Sequence, residues 1–191
     1  MQTHARAGRI IVLHGASSSG KSTLSRALQR VLDEPFLHVA SDMLAVGLPE
    51  RREPDGPFLW AGNLRPRFFD GFHRCIPVLA TAGNDLIVEH IIELEEWRAT
   101  LTELLRPFDV FLVAVHCSLD EIDRRERLRG DRRIGEGREH VEVDRIHDLG
   151  PYDLQVDTTH RDPEDVAVAV AARWRERTTF VMGAGRGRSL P

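Results

Sequence analysis

The passage from Arg9 to Leu32 restricts this chain more than any other. Arg9 to His14 (RIIVLH) is β-branched and continuously apolar at its centre, the pattern of a strand covered on both faces. It leads directly into Gly15-Ala16-Ser17-Ser18-Ser19-Gly20-Lys21-Ser22. The residues that follow put Leu24, Ala27, Leu28, Val31 and Leu32 on one helical face, and the helix stops before Pro35. Strand, glycine-rich turn and helix therefore follow one another, and the turn fits G-x-x-x-x-G-K-[ST] at every fixed position.

That spacing is what a phosphate cradle needs. Successive backbone N–H groups must point inward, glycines must permit close approach, and the helix N-terminus adds a favourable dipole. On this reading Gly15, Ala16, Ser17, Ser18, Ser19 and Gly20 form the cradle, and Lys21 reaches the β- and γ-phosphates. The Ser22 hydroxyl becomes a ligand for Mg²⁺, and Thr23 bonds a more interior phosphate. His14, just before the turn, reads as a packing or backbone-bonding residue rather than a catalytic one.

Strand-like and helix-like segments alternate along the rest of the chain, without internal repeats, which predicts an α/β fold. Arg9–His14 is expected at the centre of the sheet. The further strands are Phe36–Ala40, Asp85–Glu89, Val110–His116 and Leu154–Val156. Helices are expected over Gly20–Leu32, Met43–Val46, 66–82, Glu93–Leu105, from the capping box Ser118-Leu119-Asp120-Glu121 onward, and over Pro163–Arg177. The stretch Pro49–Pro66, rich in Pro, Gly and charge, reads as a loop over the site. The sum is a single domain over 1–178 with a mostly parallel five-stranded sheet and helices on both faces, followed by a flexible tail over 179–191.

Composition removes several classes of function. Of 191 residues, 26 are Lys or Arg and 30 are Asp or Glu, and the net charge of -4 argues against general affinity for nucleic acid or anionic lipid. Apolar runs such as Val110–Val115 fall far short of the ~20 residues that span a bilayer. Met1–Gly8 lacks the apolar stretch of a secretory signal, so a cytoplasmic location is expected. Cys75 and Cys117 have no metal-ligand spacing and read as reduced, partly buried thiols.

Phosphoryl transfer needs a group that positions the acceptor hydroxyl and takes its proton. Asp42, just past the second strand, is the candidate, with a helix cap as its other reading. Glu89 ends the third strand on the same rim. It either holds a water of the Mg²⁺ shell or the acceptor, or is a solvated strand end. His90 beside it reads as pocket wall. Residues 124–140 carry seven arginines among flexible glycines, which suits a mobile lid. Arg129 and Arg132 are the pair expected on the triphosphate, whereas Arg124 and Arg127 fit a solvated face with Glu121, Asp123 and Glu126. The cluster lacks the interleaved aromatic residues of a nucleic-acid site. Val156-Asp157-Thr158-Thr159-His160 lies at a rim position suited to adenine or to a capped turn.

Several stretches resemble the chloramphenicol phosphotransferases, small kinases similar to shikimate and adenylylsulfate kinases. They are Arg9–Ser22, Glu34-Pro35-Phe36 through Asp42-Met43-Leu44, Arg127-Leu128-Arg129-Gly130-Asp131-Arg132, and Tyr152 through His160. The resemblance spans roughly Arg9 to Trp174. It implies the P-loop nucleoside-triphosphate hydrolase fold with an arginine-rich lid. It also implies ATP and Mg²⁺ as cofactors, Asp42 as base, Arg129 and Arg132 in the lid, and a small hydroxyl-bearing acceptor such as chloramphenicol. A metabolite acceptor (a sugar, a shikimate-like acid or a nucleoside) or a non-kinase ATP-binding regulator stand as alternatives. This chain departs from the pattern in its short Pro-rich loop and in having Glu89-His90 where two acids are expected. No Asn-Lys-x-Asp stretch is present, which disfavours guanine nucleotides.

Overall fold

A computed structural model describes residues 6–47, 64–129 and 134–177. Most of the expected loop Pro49–Pro66, together with Arg132 and the tail 179–191, lies outside the described residues.

Five strands form one sheet in the order β2-β3-β1-β4-β5: β1 (Ile10–His14), β2 (Phe36–Ala40), β3 (Asp85–His90), β4 (Val110–His116) and β5 (Leu154–Asp157). β1 sits at the centre, as its apolar run requires. Every pairing is parallel, not mostly so, with Ile10 opposite Leu86 on one side and Val110 on the other. Each strand-to-strand connection contains a helix, so no hairpin can form an antiparallel edge.

Alternation along the strands divides the core into two layers. Ile11, Leu13, Ile87 and Val113 pack beneath α1 (Lys21–Val31) and α7 (Pro163–Glu176), where Trp174 is almost wholly buried. Ile10, Val12, Leu86 and Val88 face α3 (Leu64–Thr81) and α4 (Glu95–Leu105) through Phe72, Ile76, Leu101 and Leu105. Since all strands run the same way, the loops after β1, β2 and β3 gather at one rim, where α/β sheets bind ligands.

The structure differs locally from the sequence expectation. α2 spans Ser41–Ala45 and begins two residues early, so Asp42 lies within its first turn rather than capping it. α4 starts at Glu95, with Leu94 as its extended N-cap. α5 (Leu119–Arg129) is followed by a separate helix α6 (Glu136–Glu142) and a 3₁₀ turn over Ile146–Leu149 that the polar sequence concealed. Cys75 is exposed, unlike the half-buried Cys117.

Candidate active site

Between β1 and α1 the backbone is shaped by close contact. A Cβ on Gly15 would fall 2.4 Å from the Val115 carbonyl oxygen and 2.9 Å from Ser19 Oγ, so only glycine fits there. Gly20 has φ +94°, and Ser18 stands at φ +59°, an uncommon conformation for a side-chain-bearing residue. The strain is held by neighbours. Thr158 Oγ1 donates to the Ser19 carbonyl at 2.6 Å, and Arg125 reaches the Ser18 carbonyl at 3.4 Å and the Thr158 carbonyl at 2.7 Å. Lys21 Nζ donates to the Ala16 carbonyl at 2.7 Å, arching across the loop.

Ser17, Ser18, Gly20, Lys21, Ser22 and Thr23 line a cavity of about 720 Å³, together with Asp42, Glu89 and Arg129. The volume is within the range of small-ligand sites. The hydroxyls of Ser18 and Ser19 are buried and find no hydrogen-bond partner among the described residues. Buried hydroxyls without a partner beside a helix N-terminus suit an anionic phosphate group. Gly15 and Ala16 form the back of the loop, where Ala16 is buried.

Glu89 is no solvated strand end. Its Oε1 accepts from Ser22 Oγ at 2.7 Å, and its Oε2 lies 3.1 Å from His38 Nε2. Burial opposes its ionisation, but His38, Lys21 and Ser22 together hold the carboxyl below its usual range. A hydroxyl and an ionised carboxylate so placed are hard oxygen donors of the kind Mg²⁺ takes, so these residues fit that ion. Asp42 is exposed on the same rim, just past β2, and borders the same cavity.

The arginine segment divides in three. Arg124 pairs with Glu121 at 2.6 Å, but Glu121, expected on a solvated face, is buried, and both residues line the cavity. Arg129 ends α5 at the cavity wall. Arg125, given no role by sequence reasoning, binds the phosphate loop and the turn after β5. Glu126, expected on the solvated face, is fully buried and accepts from the backbone of Gly135 at 2.6 Å and Gly137 at 2.8 Å. Sequence gives one clue to Arg125: it follows Glu121 by one helical turn, and the pair forms at 2.8 Å. For His38 the clue is its period-two spacing from Ala40 on the strand that leads to Asp42.

The histidines behind the rim are buried and neutral. His14 accepts from the Ile92 amide at 3.1 Å and sits 3.0 Å from the Ile146 carbonyl; burial lowers its pKa to about 3. His90 is buried against His73, with Nε2 atoms 2.9 Å apart, and burial keeps it neutral.

Known proteins place this geometry. "Putative O-phosphotransferase Rv2636" of Mycobacterium tuberculosis is 29% identical over 189 residues, covering 84% of this chain and 79% of its own length. The adenylylsulfate kinase CysC of Mycobacterium tuberculosis, solved with AMPPNP and APS, superposes with a TM-score of 0.66 at 23% identity, covering 90% of this chain and 99% of the other. Shikimate kinase from Acinetobacter baumannii, solved with shikimate, gives a TM-score of 0.60 at 15% identity over 85% of this chain and 90% of its own. The fold is that of the P-loop kinases. The model of the chloramphenicol phosphotransferase-like proteins matches residues 8–175, and this chain belongs to that family.

Proposed function

We propose that this phosphotransferase moves the γ-phosphate of ATP to a hydroxyl of a small molecule, giving ADP and a phosphate ester. The observation that carries the reading is the convergence of Lys21, the Ser22–Glu89 pair and Asp42 on one cavity at the ends of β1, β2 and β3. The loop amides and Lys21 hold the β- and γ-phosphates. Ser22, with Glu89 behind it, would hold Mg²⁺, which neutralises phosphate charge when bound. Asp42 orients the acceptor hydroxyl. As the acceptor oxygen bonds to the γ-phosphorus, the bridging bond to the β-phosphate breaks, its electron pair leaves on ADP, and the hydroxyl proton passes to Asp42. Arg129, at the cavity wall, is placed to cover the charge, while the role expected of Arg132 lies outside the described residues.

The first acceptor to try is chloramphenicol or a similar hydroxyl-bearing antibiotic, which would make the chain a resistance factor. Family membership and the relative's name as an O-phosphotransferase support that choice. A metabolite alcohol is the second. The expected location is the cytoplasm, where ATP is supplied; no described helix is long and apolar enough to cross a membrane. Incubation with ATP, Mg²⁺ and a library of alcohols, read by mass spectrometry, tests the reading. One alcohol should gain a phosphate in stoichiometry with ADP. Nucleotide binding with no phosphorylated product across antibiotics, sugars and nucleosides would favour a nucleotide-dependent regulator instead.

A further inference from the structure

The phosphate loop has a support outside its own strand and helix. The Ser17 amide donates to Nδ1 of His140 on α6 at 3.3 Å. This contact is held from two sides. Glu126 of α5 accepts from Gly135 and Gly137, which fastens the start of α6. Gly137 then lies so close that a Cβ there would fall 2.5 Å from the Ser17 carbonyl oxygen and 2.6 Å from Ile122 Cγ2. His140 is 7% exposed, so solvent does not compete for its ring. An imidazole that accepts at Nδ1 is neutral and carries its proton on Nε2.

We propose that His140 is a positioning residue for the nucleotide site, keeping the phosphate loop in its receptive curvature by holding the Ser17 amide. The proposal rests on the reading of that loop as a triphosphate cradle. Ser18, next in the chain, sits at φ +59°, a conformation that persists only where neighbours over-determine it. Arg125 and Thr158 hold the loop at the Ser18 and Ser19 carbonyls. His140 holds it one residue earlier, at the Ser17 amide.

Protonation of the ring would place a second donor against the Ser17 N–H and remove the support. Burial is the largest influence on His140 and opposes the charge, as does Lys21 on α1. Glu139 and Asp144, at and just beyond α6, and Glu126 on α5 favour it. Glu93, after β3, also brings a ligand atom within 4.8 Å of one on His140 and one on Asp144. Burial wins and the pKa is lowered, so the neutral ring persists at neutral pH and the support is lost only on the acid side.

Calorimetric titration with AMPPNP and Mg²⁺ tests this in wild type, His140→Phe and His140→Asn, with melting temperatures measured alongside. Phe keeps the packing but cannot accept. It should bind about five- to tenfold more weakly, the loss of one buried acceptor. Asn places an oxygen near the Nδ1 position and should restore affinity to within about twofold. Wild-type affinity should fall more steeply than that of the Asn variant as pH drops below the ordinary histidine range. Should the Phe variant fail to fold, the pH comparison of wild type with Asn decides: identical acid limbs overturn the proposal. So does a folded Phe variant that binds as wild type does, or an Asn variant that binds as weakly as Phe. A wild-type chain that takes up no nucleotide at any pH overturns the cradle reading and this proposal together, whereas the preceding outcomes leave the cradle intact.

Discussion

Glu89→Gln separates charge from shape at the proposed metal site. The carboxylate accepts from Ser22 at 2.7 Å and lies 3.1 Å from His38. Glutamine has the same outline and keeps one acceptor oxygen. With that oxygen on Ser22, the amide nitrogen faces His38, whose ring can present an unprotonated Nε2 by changing tautomer. Both contacts survive, so folding should lose about 1 kcal/mol or less, a fall of about 2–4 °C in melting temperature for a chain of this length. The negative charge is what disappears. Groups that support a metal from behind its ligands contribute about 10–100-fold to affinity, which corresponds to about 1.4–2.7 kcal/mol. Calorimetry with AMPPNP should therefore show a need for about 10–100-fold more Mg²⁺ in the Gln variant. Binding of the nucleotide without Mg²⁺ should be unchanged or tighter, because a like charge has left the cradle. The pH sign follows from the depressed carboxyl: Glu89 stays ionised above its usual value of 4.5 and for some distance below it. Its contribution is lost only as pH falls through that lowered value, and the Gln variant should lack this acid limb. Equal Mg²⁺ requirements in the two proteins, with matched melting temperatures, would refute the placement of Glu89 at the metal.

Asp42→Ala should leave AMPPNP affinity nearly unchanged while lowering turnover of the identified acceptor by ~10²-fold or more; an unimpaired variant removes Asp42 as the base. Lys21→Ala should weaken nucleotide binding and turnover together, and unaltered kinetics would contradict the cradle. Far from the site, Asp85 accepts from Arg6 at 2.9 and 2.7 Å, and from the Arg9 backbone and guanidinium at 2.7 and 2.6 Å. Asp85→Asn should cost about 2–3 kcal/mol of stability by urea denaturation at neutral pH, with the exposed Arg6 contributing little. Burial opposes the charge of Asp85, but Arg6 and Arg9 hold its carboxyl far below the usual 3.8. The gap between the two proteins should be full above that value and narrow as pH falls beneath it; a gap that does not narrow would show that the charge is not its source.

The glycine-rich turn of the candidate site was legible because it is contiguous. From Arg9 to Leu32 each residue's role depends on near neighbours, and periodicity, glycine placement and the Lys-Ser pair all survive in a linear reading. The strand ends were legible for the same reason, so Asp42 and Glu89 could be set on one rim. α6 was not. Its sequence, EGREHVE, has no apolar stripe, and what fastens it is tertiary: a buried Glu126 carboxylate on its first amides and a glycine pressed against Ser17. Glu126 misled for a related reason. Among so many charges a helix reads as solvated, and nothing in the local pattern distinguishes the carboxylate whose partners are backbone amides nine and eleven residues on. The contacts of Arg125 and Thr158 with the glycine-rich turn likewise reach carbonyls more than a hundred residues away.

The Glu89-His90 pair, where two acids were expected, has its explanation in the two-layered core. Adjacent residues on a strand face opposite layers. Glu89 shares the face of Ile87 beneath α1, where Ser22, Lys21 and His38 compensate its charge. His90 shares the face of Leu86 and Val88, and its ring lies 5.1 Å from Phe72, 5.7 Å from Phe69 and 5.7 Å from Trp97. A carboxylate in that second position would be packed among these rings, where burial favours the neutral form against the pull of Lys21. A histidine is kept neutral there by burial and bonds His73 through Nε2, although its Nδ1 finds no partner among the described residues. The departure therefore follows from how α3 and α4 pack on the sheet. It sets an imidazole in the cavity wall beside His73 and leaves the Glu89 carboxylate on Ser22, so one strand end presents two different chemistries to the same cavity.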